Sequence, residues 1–161
     1  MGRAAPAAVV STASAARELV FALEFRGTAG AGADGKRRAR STAPSQSLTT
    51  VLGANGVHAE TKAVDGEQAV LESVVERSPD GSFVEEGTIT YGRAGSVTFA
   101  TVGRGTVAPA PLPGWTSGAV MWTVTGGRGT FAGATGLITS NFTVSAQGVV
   151  VDHHVARLYL A

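Results

Sequence analysis

"TVTGGRGTFAGATGLITSNF" spans residues 123–142 and sets five glycines between Gly126 and Gly136, with Arg128 among them. Such a stretch binds phosphate when its glycines lead into a helix N-terminus, whose free N–H groups meet the anion. Here the glycines lead instead into "GLITSNFTV" (136–144), a run that reads as a strand. No Lys-Ser/Thr pair follows them, and no strand–helix alternation occurs elsewhere in the chain. A second "GRGT" stands at 103–106, also at a strand end. Both copies read as hairpin corners that use glycine's tolerance of positive φ. The stretch is a β-hairpin.

Working outward from that hairpin, strand signals recur at short intervals, each bounded by Gly, Pro, Asn-Gly or Asp-Gly. The first is "RELVFALEF" (17–25), with Leu19, Phe21, Leu23 and Phe25 on one face. A long Gly-, Ala- and Ser-rich loop is expected over 27–46. Then come "SLTTVL", the Asn55-Gly56 turn, "VHAETKAV" (57–64), "QAVLESVVE" (68–76) and "SFVEEGTITYG" (82–92), the last three separated by Asp65-Gly66 and Asp80-Gly81. "SVTFATVGRGTV" (96–107), a loop marked by Pro109, Pro111 and Pro113, "SGAVMWTV" (117–124), "ATGLITSNFTV" (134–144) and "GVVVDHHVARLYL" (148–160) complete the series. The pattern predicts an all-β chain of eight or nine antiparallel strands. Closure into a barrel is favoured because it leaves no unpaired edge.

The length, 161 residues, fits one domain with a full core. A formal charge of +1 calls for neither nucleic acid nor an acidic membrane as partner. The run "KRRAR" (36–40) has no interleaved aromatic to stack on a base and reads as a solvated loop tip. No run approaches the roughly 18 apolar residues of a membrane span. The absence of cysteine removes thiolate chemistry. At the N-terminus, Ala13-Ser14-Ala15 mimics a cleavage site, but the apolar run before it is short and broken by Pro6. Residues 1–15 are therefore expected to be a flexible extension of a cytoplasmic protein, and 16–161 the barrel.

The hairpin "TGGRGTFAGATG" (125–136), with "AVMWTV" before it and a long strand after, resembles the Gly-Gly-x-Gly-x-Phe-x-Gly-Ala-x-Gly hairpin of allene oxide cyclase-like and dirigent-like barrels. The resemblance covers this hairpin and the closing strand, and the rest of the meander in outline. It implies an eight-stranded, calycin-type barrel with an apolar cavity, no cofactor, and cyclisation or coupling of a small hydrophobic molecule. The plant cyclase places a functional carboxylate on its first strand after a Glu-Leu pair. Glu18-Leu19 begins a comparable strand, but Leu23 stands at that position and Glu24 has the opposite parity. The plant substrate is therefore not carried over.

Alternation gives a parity test for residues facing the cavity. Glu85 and Tyr91 share parity with Phe83 and Ile89; Asp152 and His154 share it with Ala156, Leu158 and Leu160. The opposite face of the last strand, Val149, Val151, His153, Val155, Arg157 and Tyr159, is an alternative inner face. His58, Glu60 and Lys62 fall on the solvent parity, and Asn141 lies opposite Ile138, Phe142 and Val144. His154 with Asp152 makes an acid–base pair or a structural hydrogen bond at a barrel rim. A buried Glu85 would hold its proton more tightly and suit a general acid, and Tyr91 is a hydrogen-bond donor or an anchor. Phe21, Leu23, Phe99 and Trp122 are the candidate ligand contacts. Adjacent His153 and His154 point to opposite faces, so no metal site is expected. No Gly-x-Ser-x-Gly elbow marks a hydrolase.

Three readings follow: a cofactor-free cyclase or isomerase of a hydrophobic, natural-product-like intermediate, a non-catalytic binding barrel, and a structural domain with a filled barrel. The final strand is apolar on both faces over much of its length, so a homodimer or homotrimer burying Val149, Val151 and Val155 is also expected.

Overall fold

The computed structural model describes the backbone of residues 17–53 and 56–160 and the side chains of 17–44 and 68–160. The expected 1–15 extension, the turn residue Asn55 and the side chains of His58, Glu60 and Lys62 lie outside the described residues. Every element within them is a strand: β1 (Arg17–Ala31), β2 (Arg37–Gly53), β3 (Gly56–Arg77), β4 (Ser82–Tyr91), β5 (Gly95–Thr101), β6 (Gly105–Pro109), β7 (Trp115–Gly129), β8 (Thr135–Ser145) and β9 (Val149–Leu160). All pairings are antiparallel, mostly between sequence neighbours, with β5 also pairing β7 and β4 pairing β6, and β1 pairs with β9 from Arg17↔Leu160 to Thr28↔Val149. The meander thus closes on itself. β5 and β6 succeed one another between β4 and β7, so the ring is a closed eight-stranded barrel with β6 as an extra strand.

Three details differ from the sequence reading. Residues 27–46 are not a loop. They belong to a hairpin in which Arg26–Ala31 pair with Arg37–Thr42, turned over 32–36. Their glycines and alanines are poor strand formers, but pairing with both neighbours outweighs that intrinsic preference. Asp65-Gly66 does not end a strand. β3 runs through it, and Pro44↔Gln68 is followed by Ser45↔Val64, so residues 65–67 form a bulge. A bulge also suits Pro44, which has no N–H to give the ladder. The second "GRGT" is a jog rather than a hairpin corner: Gly103 has φ 67°, and the chain resumes the same direction as β6. The first copy does lead into a hairpin, where Gly129 and Gly133 have φ 65° and 72° and Phe131 N–H donates to Arg128 O at 3.2 Å.

Alternation fills the barrel. Phe25, Ile89, Val97, Trp122, Ile138 and Leu158 are fully buried, and each such side chain contributes about 1.5–3 kcal/mol by leaving water. At the end carrying the β4–β5 and β7–β8 turns, Tyr91 packs edge-on to Phe21 at 4.9 Å and against Phe131 at 5.1 Å, closing the barrel. On β9 the inward face is Val150, Asp152, His154, Ala156, Leu158 and Leu160. Its outward face leaves Val149 46% and Val155 50% exposed. Glu24 also faces out, between Arg26 and His153.

Gly105, at the start of β6, lies against the Phe83 ring so closely that a Cβ there would enter it. Gly105→Ala should therefore displace Phe83 and lower stability by about 1–3 kcal/mol, the usual range for overpacking. Urea denaturation of the two proteins measures it.

Candidate functional site

Among the described residues the barrel buries seven polar side chains: Ser41, Ser73, Glu85, Ser140, Ser145, Asp152 and His154. Six point inward by strand parity, and three of these gather around one carboxylate. Ser140 on β8 faces His154 across the strand pair, and its Oγ donates to Asp152 Oδ1 at 2.7 Å. His154, two residues along the same face, places Nε2 2.8 Å from Asp152 Oδ2. A carboxylate only accepts, so this contact requires the proton on Nε2. The imidazole is boxed by Phe25 at 4.4 Å and by the edge of Trp122 at 5.0 Å, and its Nδ1 has no partner among the described residues.

Glu85 sits at the β5–β6 jog. With no strand partner on that side, its backbone is held by Thr101, whose Oγ1 accepts from Glu85 N–H at 2.7 Å and donates to Glu85 O at 2.8 Å. Its side chain accepts a 2.5 Å hydrogen bond from Ser73 Oγ. Burial pushes the Glu85 carboxyl up to about 7; the Ser73 hydroxyl opposes that, the Asp152 charge reinforces it, and the Trp122 indole opposes it weakly. The indole N–H completes no hydrogen bond of good geometry, yet it lies close enough to help hold a charge on Glu85.

Glu85 and Asp152 both line a cavity of about 60 Å³ that opens at the end carrying the β1–β2, β3–β4, β6–β7 and β8–β9 turns. Ser41, Leu71, Phe83 and Phe142 are among its walls. The Ser41 hydroxyl is buried there with no partner among the described residues. Behind Glu85 and Thr101, on the outer wall, lies a separate groove of about 220 Å³.

All eight residues singled out from sequence are buried inside the barrel, but they do not form one cluster. Glu85 and Asp152 line the cavity. His154 and Trp122 lie beneath it and reach it through those carboxyls, with Leu23 opposite His154 and Phe99 stacked on Trp122 at 4.3 Å. Phe21 and Tyr91 pack at the closed end. Sequence reasoning missed Ser73, Ser140 and Ser41. The first two share parity with Leu71 and Ile138 and were open to the same test; Ser41 was hidden by the loop expected over 27–46. Among the described residues no group of three His, Asp or Glu is placed to hold a metal ion.

No family model matches the chain, and no curated protein matches it. Among solved structures, it is similar to a pterocarpan synthase dirigent protein, at 12% identity over 97% of each chain with a TM-score of 0.55. The fold is that of a dirigent-like barrel.

The raised Glu85 carboxyl makes stability depend on pH. The folded barrel keeps this proton up to about 7, whereas the unfolded chain releases it near the ordinary 4.5. The stabilisation linked to that proton is whole below the lower value and lost as pH rises through the upper one. Across that window the wild type should lose about 3 kcal/mol relative to Glu85→Gln, which carries no such proton. Urea titrations of both proteins at pH 4.5 and 8 give the difference.

Proposed function

We propose that the barrel mouth takes up part of a small, mainly apolar molecule, and that Glu85 acts on it as a general acid without a cofactor, promoting cyclisation or isomerisation. The observation that carries this reading is a carboxyl that titrates near 7 inside a cavity that a ligand can enter. A general acid works best when its proton affinity matches the working pH. The groups around Glu85 fit the task. Once it gives up its proton, Ser73 and the Trp122 indole N–H supply donors for the new charge, and the nearby Asp152 carboxylate favours recapture of a proton. A cyclisation or isomerisation returns that proton from the product side, so the site is restored without any other reactant. Asp152 is held in place by Ser140 and His154, one on each carboxyl oxygen. His154 acts as a positioning residue. The synthase named on the similar dirigent fold supports small-molecule handling by a barrel of this shape.

One observation favours the second reading, a non-catalytic binding barrel. The cavity of about 60 Å³ is well below the roughly 300–1,000 Å³ of sites that enclose a drug-sized ligand. In that reading the mouth holds one end of a molecule, and the polar groups only orient it.

Native mass spectrometry of the protein recovered from a cell lysate identifies the bound compound, and turnover of that compound decides between the readings. For a catalyst, Glu85→Gln should lower kcat by roughly 10²- to 10⁴-fold with little change in KM, and the wild-type kcat should fall as pH rises through about 7. Binding without turnover by the wild type establishes the second reading.

A further inference from the structure

The basic run 36–40 splits by parity. Lys36, Arg38 and Arg40 each have a carboxylate partner: Glu76 at 3.1 Å, Asp34 at 2.9 Å and Glu72 at 3.4 Å. Arg37 takes the other face. It continues the inward series Ser41, Ala39, Arg37 on β2 and reaches only the Ala29 carbonyl, with Nη2 donating at 3.2 Å. On the adjacent strand β3, one step diagonally from Arg37 (whose partner is Val75), Arg77 ends the inward series Leu71, Ser73, Val75. Both guanidinium groups line the cavity, and neither has a carboxylate partner among the described residues. Burial, then the charge of Arg37, lowers the proton affinity of Arg77, so two like charges stand near each other at the mouth.

The polarity of the cavity therefore runs along its length. By strand register Arg77 and Phe83 stand outermost, Arg37, Val75 and Glu85 form the next row across β2, β3 and β4, and Ser41 and Leu71 lie further in, while Asp152 shares a row with Phe142. An anion is attracted to the rim and repelled from Asp152. We propose that the mouth is a receptor for an apolar molecule bearing a carboxylate, which Arg37 and Arg77 grip at the rim while the apolar part enters toward Ser41 and Glu85. Planar guanidinium forks match a carboxylate in two-point contact, and such charge-assisted hydrogen bonds are the strong ones. The gradient also decides which end enters, and so which atoms meet the Glu85 proton. The unpartnered Ser41 hydroxyl, 3% exposed, is a second group awaiting a ligand atom. The inference rests on reading the mouth as a small-molecule site and names the class of molecule it takes.

Calorimetric titration of the full chain with cyclohexanecarboxylate and with cyclohexylmethanol tests it, since the two share an apolar body and differ in charge. The acid should bind at least tenfold more tightly than the alcohol. Arg37→Gln and Arg77→Gln should each weaken the acid roughly tenfold and leave the alcohol unchanged, with Arg77→Lys in between. Raising salt to 0.5 M, which needs no variant, should weaken the acid alone. Equal affinity for acid and alcohol, or arginine variants that bind the acid like the wild type, overturns the anion receptor while leaving the small-molecule site standing. If neither compound binds at 20 mM, both readings fall.

Discussion

The pairing of the first strand with the last determines what every other residue does. Once β1 and β9 are joined from Arg17↔Leu160 to Thr28↔Val149, the sheet has no edge and only one interior. Strand alternation then acts as a sorting rule for the whole chain: a side chain faces either the enclosed space or water. Charged residues obey it with opposite outcomes. Glu24 faces out and pairs with Arg26 and His153, whereas Glu85 and Asp152 are enclosed and must find their donors in the wall. A buried polar group without a partner costs more than a hydrogen bond returns, which is why Ser73 and Ser140 stand beside carboxyls.

The two enclosed carboxyls show how placement, rather than residue type, decides chemistry. Asp152 has Ser140 on one oxygen and His154 on the other. Burial raises the proton affinity of Glu85 despite one short opposing bond from Ser73, and its carboxylate neighbour adds to the rise. Environment alone thus sets two carboxyls of one cavity apart.

Much of this was legible in the sequence, and the limits were physical. Alternation on β4 was strong enough to bring Glu85 and Tyr91 inside, and on β1 it turned Glu24 out beside an inward Leu23; on β9, apolar on both faces near its start, it left the inner face open between that of Asp152 and His154 and that of His153. The fold was legible for the same reason, since closely spaced strand and turn signals leave a barrel as the economical arrangement. Where intrinsic preference and pairing disagreed, the reading failed. The Gly- and Ala-rich hairpin over 27–46 is a strand pair only because β3 and β9 flank it, and taking it for a loop concealed both Ser41 and Arg37. Depth was illegible too. Parity tells inside from outside but not mouth from closed end, so Phe21 and Tyr91 were grouped with residues that line the cavity. That distinction depends on register across strands far apart in the chain.

The jog at 102–104 gives the wall an uneven strength. Along most of the sheet the backbone is tied into ladders that open only cooperatively, but behind Glu85 a single threonine hydroxyl does the work of two ladder bonds. Local opening at such a joint takes far less free energy than opening a paired strand. The joint faces the groove on the outer wall, so Glu85 has the cavity on one side and a thin, separable partition on the other. A rigid container thereby acquires a seam, and the seam lies beside the buried acid whose proton affinity is raised.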